Sequence, residues 1–336
     1  MNEQQPATGM RTSTQTVTPA SSPDAAASAA RRDFETALRE GLRREPRQIA
    51  PKYFYDQRGS ALFDLICELP EYYPTRTEFA ILRRHAGEMA ECIGAQAELV
   101  EFGAGSLQKI RLLLGALREP ARLVAIDISA EHLQAEAQRL AAEHPGLRVL
   151  PLAGDFSGEL QLPAPLAGAA RRVGFFPGSS IGNFTPAEAL QFLRRCAGWL
   201  AGGGLLVGVD LVKDPAVLHA AYNDSAGVTA AFNLNLLARA NHELGANFEL
   251  AAFQHYAFYA PREQRIEMHL LSARAQTVQV GGERFDFAEG QTLHTENSCK
   301  YTVAGFRALA RAAGLQPQAV WTDAQRLFSV HWLAAT

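Results

Sequence analysis

The stretch Val100-Glu101-Phe102-Gly103-Ala104-Gly105-Ser106 sets two glycines behind an apolar run, and Val124-Ala125-Ile126-Asp127 answers it downstream with a second apolar run ending in an acid. An apolar strand entering a glycine turn lets the backbone approach a ligand, and a carboxylate ending the next strand can accept from ribose hydroxyls. The pairing predicts an adenosine-containing ligand. A dinucleotide site needs a third glycine where this chain has Gln108, and Glu101 would repel a pyrophosphate. The same carboxylate suits a cation, and S-adenosylmethionine carries a sulfonium and an ammonium. An ordinary strand-to-helix turn would explain the glycines by their backbone angles but leaves both acids without a purpose.

The elements that must position these residues follow from periodicity. Strands are expected over 98–102, 123–128, 148–153, 173–176 and 205–212, with helices between them, one of them over 130–143. Thr185-Pro186-Ala187-Glu188 marks a helix start, with Thr185 as cap and Pro186 at the first position. Strand and helix in alternation predict an α/β fold with a doubly wound, Rossmann-like parallel sheet. A helix over 303–313 followed by two closely spaced strands, 319–322 and 328–334, makes a final hairpin that resembles the reversed last strand of S-adenosylmethionine-dependent methyltransferases, and a reversed C-terminal strand is expected on that resemblance. Residues 96–212 and 294–336 are expected to form that core. An insertion over 213–293, with helices 215–222 and 226–244 and antiparallel strands after them, is expected to join residues 31–95 as a smaller α+β substrate-binding lobe.

Composition narrows the classes. The chain has 336 residues, 47% of them hydrophobic and 20% charged, with a net charge of −3, so it can bury a full core and offers no basic block for nucleic acid. Its four cysteines lack a C-x-x-C pair, which predicts neither a disulfide framework nor a metal site, and fits a reducing cytoplasm. No apolar run is long enough to span a membrane. Residues 1–30, rich in Ala, Ser, Thr, Gln and Pro, are expected to form a disordered tail.

Four blocks carry a further signal: Tyr53-Phe54-Tyr55-Asp56-Gln57-Arg58-Gly59-Ser60, Pro70-Glu71-Tyr72-Tyr73-Pro74-Thr75-Arg76, Phe176-Pro177-Gly178-Ser179-Ser180-Ile181-Gly182-Asn183-Phe184 and Thr295-Glu296-Asn297-Ser298-Cys299-Lys300. In this order they make the chain, from about Pro51 to its end, resemble the L-histidine Nα-methyltransferases of ergothioneine biosynthesis. The resemblance implies transfer of three methyl groups from S-adenosylmethionine to the α-amine of L-histidine and of its mono- and dimethylated forms, giving Nα-trimethylhistidine, with no metal. It places Gly103, Lys109, Asp127, Asp155 and Phe156 at the cofactor. It places Asn183 and Tyr222 at the substrate carboxylate as catalytic positioning groups, Gly178 near the amine, and Glu296, Ser298, Tyr72 and Met268 around the ring.

Chemistry agrees with much of this. A neutral imidazole offers one donor and one acceptor, so a carboxylate and a hydroxyl read it completely, whereas an indole has no ring acceptor. By itself each residue has a plainer use: Lys109 as a solvated helix residue, Asn183 as a turn residue, Glu296 and Ser298 as a turn before the helix capped by Thr302, Tyr222 and Met268 as core. A one-residue shift in an irregular segment would exchange Tyr72 for Tyr73. Ala104 and Pro177 depart from the family's commonest residues. The alternatives are an N-methyltransferase for another amino acid such as a tryptophan derivative, a nicotinamide dehydrogenase, and a non-catalytic binding protein. The chain is expected to act as a cytoplasmic monomer without nucleic acid or membrane partners.

Overall fold

Every residue of β2 (Ala97–Phe102) in the structure, a computed structural model that describes residues 23–158 and 160–336, is buried, as a strand covered on both faces requires. Ahead of it come α1 (Pro23–Arg43), β1 (Arg47–Gln48), α2 (Gln57–Glu68) and α3 (Tyr73–Ile93). Behind it run α4 (Gln108–Leu114), β3 (Arg122–Asp127), α5 (Ala130–Glu143), β4 (Arg148–Ala153), β5 (Arg171–Phe176), α6 (Pro186–Trp199) and β6 (Gly204–Asp210). Then follow α7 (Pro215–Tyr222), α8 (Val228–Leu244), β7 (Phe253–Ala260), β8 (Arg265–Ser272), β9 (Gln276–Val280), β10 (Glu283–Phe287) and β11 (Thr292–Cys299). The chain closes with α9 (Val303–Ala312), β12 (Leu315–Thr322) and β13 (Phe328–Ala335).

Seven strands form one sheet in the order β12-β13-β6-β5-β2-β3-β4. From β6 to β4 all neighbours are parallel, while β13 runs antiparallel to β6 and to β12. This is the doubly wound sheet with a reversed final strand that the sequence predicts. Successive side chains alternate between its faces. Leu99 packs with Leu82 and Met89 of α3 and Leu113 of α4. Val100 and Phe102 pack on the other side with Phe192 of α6 and Phe306 of α9. A capping box between Thr185 and Glu188 starts α6, as the sequence indicates.

A second sheet, β1-β11-β8-β7, sits over the first sheet's rim together with the β9–β10 hairpin. Ile266, Met268 and Leu270 of β8 pack against Phe232 and Leu236 of α8 and against Phe34 and Leu38 of α1. Helix α3 begins at Tyr73, with Pro74 in its first turn, a position where the missing N–H costs nothing. Two features differ from the sequence expectations. The first helix begins at Pro23, so the tail expected over 1–30 falls partly within it and otherwise lies outside the described residues. Residues 292–299 form a strand paired with β8 and β1, so the chain returns to the larger sheet after Cys299 rather than at 294.

One buried carboxylate ties three central strands together. Glu98 of β2 accepts from Arg122 Nε of β3 at 2.8 Å, Arg172 Nε of β5 at 2.9 Å and Leu166 N at 3.1 Å. Removing the acid would strand two buried guanidinium groups. Glu98→Ala should therefore lower the unfolding free energy by about 3–5 kcal/mol, measured by denaturant titration; a loss within experimental error would contradict this account of the sheet.

Candidate active site

Four parallel strands end at one rim: β2 at the glycine turn, β3 at Asp127, β4 ahead of Asp155 and Phe156, and β5 ahead of Pro177–Asn183. Open sheets of this kind bind ligands at that edge. A cavity of about 1120 Å³ occupies it, walled by Gly103, Lys109, Asp127, Asp155, Phe156, Gly178 and Asn183 from the larger sheet and by Tyr72 and Glu296 from the opposite side. Gly103 has φ of 69°, and a Cβ there would meet the Phe156 ring at 3.4 Å, so both the backbone angle and the space favour glycine.

Backbone donors aim the acids. Asp127 accepts from Gly105 N and Ser129 N, each at 2.9 Å, which fixes its carboxylate at the cavity wall. Asp155 accepts from Ser157 N at 2.8 Å and from Lys52 Nζ at 3.1 Å, and these contacts hold its carboxyl below the usual range against the opposing effect of burial. Lys109 pairs with Glu78 of α3 at 2.7 Å, and Glu78, itself fully buried, also accepts from Gly178 N at 2.9 Å. An ammonium has three donors, and the contact with Glu78 is the ion pair that Lys109 makes among the described residues. Glu101 is 1% exposed, and its Oε2 has no hydrogen-bond partner among the described residues. Burial pushes that carboxyl well above its ordinary range.

The opposite end of the cavity is built by β11. A Cβ on Gly182 would meet the Cys299 carbonyl at 2.8 Å; the absent side chain lets the Ser180–Asn183 turn lie on β11 and brings Asn183 into one cavity with Glu296. Glu296 and Ser298 are two residues apart on one strand face and are 9% and 5% exposed. Burial raises the Glu296 carboxyl to about 7, with Lys300 pulling the other way. Tyr72 lies edge-on to Tyr222 with ring centroids 6.4 Å apart. The hydroxyl of Tyr73 instead donates to Asp210 at 2.7 Å, so of the two tyrosines it is Tyr72 that walls the cavity.

Not every expected residue reaches the open space. Tyr222, Ser298 and Met268 are buried and do not wall the cavity. Tyr222 donates to Ser298 Oγ at 2.6 Å, and Met268 packs in the lobe core opposite Glu296. Sequence reasoning passes over Glu78, Lys52, Asp210, Lys213 and Lys300. Asp210 had a legible signal, an acid ending a buried strand as Asp127 does; Lys300 stood in a quoted block without a role. Among the described residues one group has metal-ligand types at close range, Glu267, His269 and His294. Its carboxylate is already engaged by Arg265 Nη2 at 2.6 Å and His269 Nε2 at 3.1 Å.

Comparison with known proteins decides the family. Residues 34–335 match the histidine-specific, S-adenosylmethionine-dependent methyltransferase family. The chain belongs to that family. Histidine N-alpha-methyltransferase of Mycolicibacterium smegmatis is 44% identical over 89% of this chain and 93% of its own length. The protein of that name from Mycobacterium tuberculosis is 44% identical over the same shares. Ergothioneine biosynthesis protein 1 of Neurospora crassa is 32% identical over 86% of this chain, which spans 33% of that longer protein.

For a methyltransferase of this family the cofactor end has a suitable chemistry. The unpartnered Glu101 oxygen fits a ligand that brings N–H donors and positive charge, and Gly103 leaves room for its approach. No helix among the described residues is long and apolar enough to cross a membrane. Asp127→Ala should weaken S-adenosylhomocysteine binding about tenfold or more, about 1.4 kcal/mol, by calorimetry; unchanged affinity would remove Asp127 from the cofactor site.

Proposed function

We propose that this chain transfers methyl groups from S-adenosylmethionine to the α-amine of L-histidine, three in succession, giving Nα-trimethylhistidine, the first step of ergothioneine biosynthesis. The observation that carries the reading is Glu296, a buried carboxylate that shares one cavity with Gly103, Asp127 and Asn183. Gly103, Lys109, Asp127, Asp155 and Phe156 would hold the cofactor, which supplies an electrophilic methyl carbon on a sulfonium. Residues 31–95 and 213–293, with β11, would serve as the substrate lobe of a cytoplasmic monomer that uses no metal.

The protein's own part is positioning. Asn183 would hold the carboxylate from the cavity wall and Tyr222 from behind it, Gly178 would lie near the amine, and Tyr72 and Glu296 would meet the ring with Met268 and Ser298 buried behind them. Fixing the amine against the reacting carbon at about 3–3.5 Å replaces a bimolecular encounter by an internal one. The amine must lose its proton first, and a reference α-amino group titrates at about 7.7–8.0. Positive charge at the cofactor disfavours the ammonium form, and the proton can leave through water.

Mass spectrometry of histidine incubated with the protein and S-adenosylmethionine tests the activity; additions of one, two and three methyl groups are expected. Tryptophan should remain unmodified, and the reverse preference would refute the reading. Glu296→Ala should raise the KM for histidine about tenfold or more and leave S-adenosylhomocysteine affinity unchanged.

Glu296 also sets a pH dependence. Ionised, the carboxyl that burial raises to about 7 accepts a ring N–H far more strongly than when protonated. The KM for histidine should therefore rise as pH falls through about 7. In Glu296→Gln that limb should be shallower by one proton, and an identical limb would exclude Glu296 as its source.

A further inference from the structure

Lys300 is 2% exposed, and its ammonium meets three acceptors: Asp210 Oδ2 at 2.8 Å, Ser298 Oγ at 2.7 Å and the Tyr222 hydroxyl at 3.2 Å. An ammonium has three donors and no lone pair, so all three of its protons are committed. Each hydroxyl oxygen must meet it as an acceptor and turn its own proton elsewhere. One of those two protons closes the 2.6 Å bond between Tyr222 and Ser298. The other has no acceptor in the pair.

The charge that imposes this order is fixed from behind. Asp210, fully buried at the end of β6, accepts from Lys300, from Lys213 Nζ at 2.5 Å and from the Tyr73 hydroxyl. Backbone bonds hold the arrangement in place: Tyr301 N donates to the Asp210 carbonyl at 3.0 Å, and Val212 N to the Tyr301 carbonyl at 3.0 Å. Lys300 is therefore delivered to the substrate end by the same strand that carries Glu296 and Ser298.

We propose that Lys300 is a specificity-determining positioning residue: it makes Ser298 a hydrogen-bond donor toward the substrate and thereby selects the neutral form of the imidazole ring. The inference rests on the reading above, that a bound histidine ring reaches past Glu296 to Ser298, which in the empty cavity lies buried behind the wall. A donor hydroxyl needs an acceptor, which the unprotonated nitrogen of a neutral imidazole supplies and an imidazolium does not. The ring N–H then goes to Glu296. The proton of Tyr222 is the one that closes its bond to Ser298 Oγ, so the proton left free is that of Ser298.

Charge balance points in the same direction. Lys213 and Lys300 face Asp210 and Glu296, two positive groups and two negative ones, so a neutral ring leaves the buried cluster balanced. An imidazolium would add a positive charge beside Lys300, and uncompensated buried charge is costly. The other groups that face Glu296 are Tyr55, Tyr72 and Tyr222, all with hydroxyls that burial pushes upward and keeps uncharged. Lys300 is thus the cation that holds the Glu296 carboxyl down, against the burial that raises it to about 7.

The test reads the ring directly. Histidine labelled with ¹⁵N in the ring is bound to the wild-type protein with S-adenosylhomocysteine at about pH 6, where the free ring, with a reference pKa of about 6.5, is mostly protonated. The bound ring should show one pyridine-type and one pyrrole-type nitrogen. Two pyrrole-type nitrogens, an imidazolium, would overturn the proposal while leaving the methyl transfer reading intact. Absence of both a bound ring signal and methyl transfer would instead defeat that reading.

Variants provide a second readout. Lys300→Met should raise the KM for histidine about tenfold or more, keep S-adenosylhomocysteine affinity within about twofold, and move the acid limb of kcat/KM to higher pH. Lys300→Arg should restore the limb toward its wild-type position. A folded Lys300→Met protein with wild-type KM and limb would overturn the proposal, and should that variant fail to fold, the wild-type spectrum decides alone.

Discussion

The carboxylate of Asp210 is the contact on which the rest of the site depends. It ends β6 in the middle of the larger sheet, yet its partners come from the start of α3, from the connection leaving β6 and from the residue after β11. A fully buried acid with one partner would be a liability, because an unpaired charge in the interior costs several kcal/mol. With Tyr73, Lys213 and Lys300 around it, the carboxyl is held below its usual range in spite of burial. The same contacts fix how the small sheet meets the large one, since each partner belongs to a segment that walls or backs the cavity.

The two ends of the cavity are built by different rules. At the glycine-turn end, parallel strands terminate together and backbone N–H groups aim Asp127 and Asp155, so position follows from sheet register alone. At the β11 end, Glu296 stands beyond a register shift between His294 and Glu296 in the β11–β8 pairing. Such an irregularity re-aims side chains on a strand. Glu78 links the ends: rooted in α3, it holds both Lys109 and the Gly178 amide, so the helix that starts at Tyr73 also supports the cofactor side.

What could be read from the chain follows the same division. The glycine turn, Asp127 and the reversed final strand were legible because each is local: a run of apolar residues, a turn and an acid within a few positions. Lys52 and Glu78 were not, because each acts across the chain: Lys52 meets Asp155 and Glu78 meets Gly178, and the contact of Tyr73 with Asp210 was hidden in the same way. Nothing within a single helix marks Glu78 as different from a solvated acid. The strand at 292–299 was hidden for another reason. Its sequence, Thr-Leu-His-Thr-Glu-Asn-Ser-Cys, is largely polar, and a strand whose polar side chains face a cavity lacks the alternation that identifies strands. The choice between Tyr72 and Tyr73 likewise needed the location of the helix start, which Pro74 at its first turn allowed but did not fix.

These observations explain why the cavity keeps two acids at a cost to the fold. Glu101 and Glu296 stand at opposite ends, both buried and both raised toward protonation by that burial. For Glu296, the protonated fraction in the folded chain exceeds that in the unfolded chain between its reference value of 4.5 and about 7. Folding stability from this group is therefore full below the lower value and is lost as pH rises through the upper one. On the proposed reading, each ligand brings the donors that its acid lacks, an ammonium to Glu101 and a ring N–H to Glu296. Near neutral pH the empty cavity is then the less stable state, and binding recovers what burial of the acids takes from the fold. Replacing either acid by a hydrophobic residue would relieve the empty protein and remove the selectivity, a trade that only a binding site has reason to refuse.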